Sequence, residues 1–311
     1  MIILVLILGI GMITGCSAPR GSDLFEIGNP NALEFEKPLN SPKLTTGGYY
    51  AVKKDNEGRI RKVWRYNPQR RVTAKYEYDW KDTTLLARKD RFYNEAGKLR
   101  SAVKWILKNG RPVEKHETYY DFQGLYEKLE ITYVNPRGQP AFIETYGEGR
   151  KLVSTAELYY DPANRLDKKQ VVYYTPDGNR RDFWVTLYTN FNTIRSEEHY
   201  LSNGTLIAFY RNEFDPNDHH LTRSESFSEE SEELVIKDFD ATSRLIKEEF
   251  QTRNRRSKGW QTWSYDEKPG VVVERKYNGS GVLLNEATTP LAGDNPVLGD
   301  LKSLLPKTIP D

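Results

Sequence analysis

A short unit recurs along the chain between residues 66 and 283, with a spacing of 12 to 14 residues over most of that length. Each unit begins with an aromatic residue followed by Asp or Asn and ends with an aliphatic residue. The clearest copies are residues 66–72, 93–99, 160–166, 239–245 and 277–283. Asp, Asn, Pro and Gly fill the middle of the unit, and these residues form turns because they bond the local backbone, preset φ or permit positive φ. Any fold assigned to the chain must therefore explain this period.

The runs between these turns have the composition of β-strands. Residues 99–106, 166–173, 194–200 and 271–277 are rich in Val, Ile, Thr, Tyr and Trp, which favour extended backbone. Residues 152–160 would also suit a helix, but their β-branched content and the regular turns favour a strand. In each unit we expect the aromatic residue to face the aliphatic residue across the hairpin, a pairing that contributes roughly 0.2–1 kcal/mol.

The predicted fold is all-β, an antiparallel meander built from strand–turn repeats. Charged residues fall on both faces of many predicted strands, which favours a sheet with at least one face in water. About sixteen strands are expected, and such a sheet should coil or roll, since open sheets rarely exceed about ten strands.

The units resemble the YD repeats of RHS proteins and, more distantly, the hairpin repeats of MORN type. The resemblance covers roughly residues 49–285. It implies consecutive β-hairpins, and it implies a toxin-associated or immunity-like role as one alternative function.

The N-terminus has the character of a signal peptide, because residues 1–14 are apolar and uncharged yet too short to span a bilayer, which takes about 20 residues. Residues 13–16 (Ile-Thr-Gly-Cys) resemble the lipobox of bacterial lipoproteins. That resemblance implies cleavage before Cys16, a diacylglyceryl group on its thiol and a further acyl chain, such as palmitate, on the new amine. Ser17 then favours the outer membrane. The alternative is a buried N-terminal helix with an incidental cysteine.

Four segments follow from these observations. Residues 1–15 are the predicted signal peptide, and residues 16–48 are a predicted flexible tether that starts at the lipidated cysteine and is rich in Pro, Asn, Gly and Ser. Residues 49–285 are the predicted β-repeat domain. Residues 286–311 are a Pro-rich tail that we expect to cap the last edge of the sheet.

Composition excludes some partners and constrains stability. The net charge of +2 gives no overall field to attract nucleic acid. The single cysteine excludes a disulfide within the chain, so packing and hydrogen bonds must hold the fold.

No catalytic or metal-binding motif stands out. The chain lacks a P-loop, a Gly-x-Gly-x-x-Gly loop, a Gly-x-Ser-x-Gly elbow and a His-Glu-x-x-His pair. His116 and His199 lie in predicted strands without a nucleophile motif beside them, and His219 and His220 would point to opposite faces of a strand. We therefore predict no cofactor, no metal and no enzymatic activity.

One stretch suggests a binding patch. The interval from Phe250 to Tyr265 exceeds the usual spacing and carries both cations and aromatic rings, at Arg255, Arg256, Trp260 and Trp263. Aromatic rings beside Arg or Lys suit sugars and anionic polymers, and an unusually long loop is a common place for function.

The predicted function is that of a lipid-anchored envelope protein with a non-enzymatic binding or structural role towards a protein or a glycan, and without affinity for nucleic acid. Two alternatives remain open at this point. One is the toxin-associated or immunity-like role, and the other is an envelope hydrolase whose site depends on residues far apart in sequence.

Overall fold

The computed structural model describes residues 18–19, 21–27, 35, 37–42 and 46–291 of the chain. These residues form 21 β-strands and one short 3-10 turn, Glu148–Arg150. The chain divides into two compact units, residues 1–155 and 156–311, and the division lies inside strand β11 (Leu152–Tyr160). No helix within the described ranges has the length and apolar character needed to cross a membrane.

Unit 1 is a meander in which each strand from β3 to β10 pairs antiparallel with the next. The short N-terminal strand β1 pairs with both β2 and β3. The strands are β1 (Asp23–Glu26), β2 (Pro38–Leu39), β3 (Tyr49–Lys54), β4 (Ile60–Tyr66), β5 (Val72–Lys81), β6 (Thr84–Tyr93), β7 (Leu99–Lys108), β8 (Arg111–Tyr120), β9 (Tyr126–Val134) and β10 (Pro140–Tyr146).

Unit 2 is built in the same way, and each strand from β12 to β21 pairs antiparallel with the next. Its strands are β12 (Leu166–Tyr174), β13 (Arg180–Tyr188), β14 (Ile194–Leu201), β15 (Leu206–Phe214), β16 (Leu221–Ser228), β17 (Glu233–Phe239), β18 (Leu245–Thr252), β19 (Ser257–Ser264), β20 (Val271–Asn278) and β21 (Leu283–Pro290). The predicted all-β antiparallel meander is thus confirmed. The four predicted strand runs lie within β7, β12, β14 and β20, and residues 152–160 form a strand.

The repeated unit forms one kind of hairpin turn, which residues 160–166 illustrate. The N–H of Asp161 donates to the carbonyl of Arg165 at 2.9 Å, and the N–H of Asn164 donates to the carbonyl of Asp161 at 2.9 Å. The Asp161 Oδ1 atom accepts the N–H of Arg165 at 2.8 Å. Asn164 has a φ of 67°, a conformation that Asn tolerates better than most residues. The Asp or Asn of the repeat therefore fixes the turn through the backbone.

The predicted contact between the aromatic and aliphatic ends of the unit is confirmed by the strand register. Three copies show it, with Tyr93 opposite Leu99, Phe239 opposite Leu245 and Tyr277 opposite Leu283. A register shift lies beside each pair, which marks a β-bulge with one residue left over in the ladder. The repeats are thus consecutive β-hairpins.

The structure has more strands than the roughly sixteen predicted, because β1 and β2 precede the repeats and three further turns lie outside the units that the sequence pattern predicts. One turn lies at residues 55–58 and another at residues 252–255. The third is a two-residue turn in which Asn109 and Gly110 have φ values of 53° and 73°. Positive φ at both positions is what such a hairpin requires, and Asn-Gly is a strong sequence signal for it.

Described residues of the N-terminal segment, which lies within the predicted tether of residues 16–48, cover the edge and both faces of β3. Four consecutive residues, 49–52, are at most 1% exposed. Phe25 and Phe35 pack on one face of β3, and Ala18, Leu24 and Leu39 pack on the other. The alternation of Leu24 and Phe25 lets a short paired strand contribute to both clusters. Burial of apolar surface therefore holds these described residues against β3, although the composition around them suggests a linker.

At the other end, the last strand, β21, spans Leu283–Pro290 and includes the predicted boundary at residue 285. The predicted role of the tail in capping the sheet edge falls on residues 292–311, which lie outside the described residues, as do the predicted signal peptide and Cys16.

Candidate functional site

A pocket lies on one face of unit 2, where two rows of side chains cross the five strands from β13 to β17. The cross-strand register aligns one row as Trp184, His199, Ala208, Ser228 and Glu233. It aligns the second row as Thr186, Glu197, Tyr210, Ser226 and Val235. Alternate residues of a strand point to the same face, so the two rows are neighbours on one surface.

The pocket has a volume of about 250 Å³. Ala208, Ser226 and Ser228 have small side chains, and they leave space beside the larger rings of Trp184 and Tyr210, which also line the pocket. Ser231, in the turn between β16 and β17, completes the polar side of the lining together with Glu197 and Glu233. Phe209 and Phe227 also line the pocket, although alternation along their strands turns their side chains to the other face. The site thus combines aromatic residues with hydroxyl and carboxylate groups.

The ring of Trp184 is held from one side. It stacks on the His199 ring with the centroids 4.2 Å apart and the planes at 15°. The Nε2 atom of His199 is 2.7 Å from Oδ2 of Asp182, a buried carboxylate that also accepts a hydrogen bond from the Arg181 guanidinium at 2.9 Å. The chain Asp182–His199–Trp184 therefore fixes the position of the ring before any ligand arrives.

Some polar groups of the lining already have a hydrogen-bond or ion-pair partner within the protein. Glu197 accepts a hydrogen bond from the hydroxyl of Thr186 at 3.3 Å, and Glu233 pairs with Lys258 at 2.9 Å. Burial raises the pKa of Tyr210 above its ordinary value, partly offset by a hydrogen bond from Asn212. Its phenol therefore remains protonated at neutral pH and can donate a hydrogen bond.

The opposite face of the same strands is packed. Phe227, Leu234 and Ile236 form a buried cluster, and Phe209 packs against it. The rings of Phe209 and Phe227 are 5.8 Å apart. These side chains alternate with pocket residues on β15, β16 and β17, so the cluster supports the strands that form the pocket floor.

The structure divides the patch predicted at Arg255, Arg256, Trp260 and Trp263. Both arginines lie in the turn between β18 and β19, while both tryptophans lie in β19. The interval is therefore a turn and a strand rather than a long loop. Trp260 and Trp263 are three residues apart, so they point to opposite faces of the strand. Trp260 stacks on Tyr277 with the centroids 5.2 Å apart.

Sequence reasoning did not find the pocket, although a partial signal exists. Strand β16 has serine at every second position, Ser224, Ser226 and Ser228, and this alternation places a row of small polar side chains on one face. Such a row predicts a shallow groove. Its neighbours come from strands whose register depends on the bulges, and the sequence pattern does not give those positions.

One group of side chains could approach a metal ion, in the turn between β15 and β16. Ligand atoms of Asp215, Asp218 and His220 lie within 4.8 Å of one another. Asp215 already accepts the N–H of Asn217 at 2.7 Å, and Asp218 bonds the ring of His220. The hydrogen bond from His220 lowers the pKa of Asp218 below its ordinary value. These contacts explain why the three side chains lie close together, because they stabilise the turn.

Comparison with known proteins gives no family assignment. No family model matches the chain, and no curated protein matches it. Several solved structures are similar to it at low identity. A crystal structure of TcdB2-TccC3-TEV is 12% identical with a TM-score of 0.23, over 82% of this chain and 16% of that one. The chain thus spans about a sixth of that protein's length.

Two further structures are similar over more of their own length. A porin-like protein from Bacteroides uniformis is 11% identical with a TM-score of 0.25, over 70% of this chain and 92% of that one. A eukaryotic initiation factor is 8% identical with a TM-score of 0.24, over 78% of this chain and 76% of that one. All of these scores are low, so the assignment of hairpin repeats rests on the strand pairing of this chain.

Proposed function

We propose that the chain is a lipid-anchored protein of the cell envelope that binds a protein or glycan partner without changing it chemically. The observation that carries this proposal is the pocket on unit 2, with its Trp184 ring held by His199 and Asp182. A side chain that is fixed before binding loses little conformational entropy on binding, so a preorganised ring favours affinity. The YD-repeat resemblance concerns the hairpin units alone, and it is equally compatible with the alternative toxin-associated or immunity-like role.

The anchor in this proposal is lipid on Cys16, and the fold suggests where it would act. Ala18 already packs against the core cluster around Tyr49 and Tyr66. Two residues of extended chain reach only about 7 Å. A lipid on Cys16 would therefore hold unit 1 close to the membrane surface, without a long tether between them.

Binding is favoured over catalysis by the way in which the pocket groups are used. His199 would be the natural base, but its Nε2 atom bonds Asp182 and its ring stacks on Trp184. A serine nucleophile needs a base within hydrogen-bonding reach of its hydroxyl. Among the described residues around the pocket, His199 therefore positions the ring of Trp184.

A glycoside hydrolase is the second candidate, because the lining holds two carboxylates, Glu197 and Glu233. Such enzymes use a carboxylic acid and a carboxylate on either side of the scissile bond. Glu233 is paired with Lys258, whose Nζ atom lies 2.9 Å from Oε1, so one carboxylate oxygen already has a partner outside the pocket lining. An assay for released reducing sugar with the wild-type protein tests this candidate directly, and turnover would reject the binding proposal.

Fractionation of cells that express the full precursor tests the anchor. Wild type should label with a fatty-acid probe and sediment with membranes. Cys16→Ala should lose the label and appear in the soluble fraction, because two or three acyl chains are needed for lasting attachment. Ser17→Ala is the matched control and should behave as wild type. Membrane retention of Cys16→Ala equal to wild type would refute the anchor.

A further inference from the structure

The chemistry of the pocket on β13–β17 indicates what it binds, and this step rests on the proposed binding function. Two of its aromatic residues, Trp184 and Tyr210, present flat apolar surfaces with polar edges. Three serine hydroxyls, those of Ser226, Ser228 and Ser231, lie in the same lining. A sugar ring has the matching properties, since it carries an apolar face of C–H groups and a rim of hydroxyls.

The charges of the lining select among sugars. The lining contains Glu197 and Glu233 but no lysine or arginine. An anionic sugar would bring its charge next to two carboxylates, only one of which has a cation beside it, Lys258. Like charges at close range are unfavourable. A neutral sugar can instead donate its hydroxyl protons to the carboxylate oxygens.

The size of the pocket suits one ring. A cavity of roughly 150 Å³ holds a benzene molecule, and the pocket measures about 250 Å³. The additional space accommodates hydroxyl groups around a six-membered ring. The pocket is partly open to solvent along the sheet face, so a ring within a longer chain can enter.

A peptide is a poorer match. An extended peptide is bound most simply by adding it as a strand to a free sheet edge. Each of the five strands under the pocket is paired on both sides, since the ladder runs from β12 to β18 without a break. A ligand at this site must therefore be recognised by side chains on the sheet face.

We propose that the pocket formed by Trp184, Glu197, Ala208, Tyr210, Ser226 and Ser228 binds a neutral hexose ring of a glycan, with the ring seated against the Trp184 side chain. Tyr210 and the serine hydroxyls bond the sugar hydroxyls. His199 and Asp182 are positioning residues, because they act through the tryptophan.

Isothermal titration of the full chain in detergent tests the proposal. The probes are maltohexaose, cellohexaose and hexa-N-acetylchitohexaose, with a hexamer of galacturonic acid as the anionic comparison. At least one neutral probe should bind, and the anionic probe should bind more weakly. Trp184→Ala should weaken binding about tenfold or more, as expected for loss of a central aromatic anchor.

Two further variants keep the test independent of folding. Ala208→Leu fills the floor of the pocket and should weaken binding while the protein remains folded, which thermal unfolding verifies. Trp80→Ala removes a half-buried tryptophan from β5 of unit 1 and should leave binding within about twofold of wild type. Equal affinity of wild type, Trp184→Ala and Ala208→Leu would overturn the sugar site.

The outcomes also separate this inference from the proposed function. If none of the neutral probes binds while the membrane-anchored protein still retains a protein partner through unit 2, the sugar inference fails and the binding function stands. If a neutral probe binds in the pocket and is cleaved, the binding function fails and the sugar site stands.

Discussion

The first strands of unit 1 and the pocket strands of unit 2 have the same hairpin architecture but differ in what covers them. In unit 1, the N-terminal segment lies against both faces of β3, and residues 49–52 are at most 1% exposed. In unit 2, one face of β13–β17 packs into a small cluster and the other carries the pocket. The repeat therefore supplies the scaffold, and residues outside the repeat determine which part becomes a core.

The difference also separates two kinds of interaction. Around β3, aromatic and aliphatic side chains are removed from water, and their burial is the main source of stability. On the strands of unit 2, cross-strand ion pairs join partly exposed side chains, such as Arg211 with Glu198 and Lys237 with Glu248. Pairs of this kind contribute little individually, about 0–1 kcal/mol. We therefore expect the β3 region to be the more stable of the two.

A matched pair of tyrosine substitutions tests this comparison and should give the largest effect. Tyr66 stacks on Tyr49 at 4.5 Å and is 2% exposed, whereas Tyr200 stacks on Phe183 at 4.8 Å and is only half-buried. Tyr66→Ala should lower the free energy of unfolding by about 3–5 kcal/mol. Tyr200→Ala should cost about 1–2 kcal/mol, close to the value of the stack alone. Urea denaturation measures both, and equal losses would show that covering β3 adds no stability.

Much of this fold follows from the sequence alone, because the hairpin unit is local. The turn at residues 160–166 depends on hydrogen bonds within that unit, between Asp161 and residues three and four positions later. Its residue types therefore predict its geometry directly. For the same reason, β7, β12 and β14 begin where the predicted runs begin, at Leu99, Leu166 and Ile194.

The contacts that sequence reasoning missed are not local. Leu24 and Phe25 pair with Ala51 and Tyr50, more than twenty residues away, and composition alone gives that segment the character of a linker. The pocket likewise depends on Trp184, Ala208 and Ser228 meeting in one row across four strands. A register change of one residue in any of these strands would turn its side chains to the other face. The sequence period does not determine the register at that precision.

Acid should lower the stability of turns that depend on an ionised carboxylate, in both regions. The effect should be moderate, and an Asp→Asn substitution shows how much of it comes from one carboxylate. Burial raises the pKa of Asp240, but hydrogen bonds from the Arg244 backbone, from Thr242 and from the Arg244 side chain outweigh it and hold that pKa at about 2. The folded pKa is thus below the unfolded value of 3.8. The carboxylate therefore contributes stability above about pH 4, and the contribution is lost as the pH falls towards 2.

Asp240→Asn should remove this pH dependence while keeping the turn. Asn occupies the same position in other units, where Asn94 Oδ1 accepts the N–H of Lys98 at 2.9 Å and Asn278 Oδ1 accepts the N–H of Val282 at 2.9 Å. At pH 7 the variant should lose about 1 kcal/mol, the value of a partly exposed charged hydrogen bond. At pH 2 it should match wild type in thermal denaturation. A constant difference between the two proteins across that range would exclude the carboxylate as the cause.

The smallest effect concerns residues that adopt positive φ without being Gly or Asn. In the turn at residues 239–245 this position is Ser243, with φ of 60°, whereas the equivalent residue of the turn at residues 93–99 is Gly97, with φ of 73°. A side chain there costs about 1 kcal/mol in backbone strain, and glycine offsets part of this gain through its more flexible unfolded state. Ser243→Gly should therefore stabilise unit 2 by about 0.5 kcal/mol. Arg70→Gly, at φ of 59° in a turn of unit 1, should do the same, because the turn geometry is local and does not depend on how the neighbouring faces are covered. Urea denaturation of both variants measures the change, and a gain in one unit with a loss in the other would show that packing around the turn, rather than backbone strain, sets the effect.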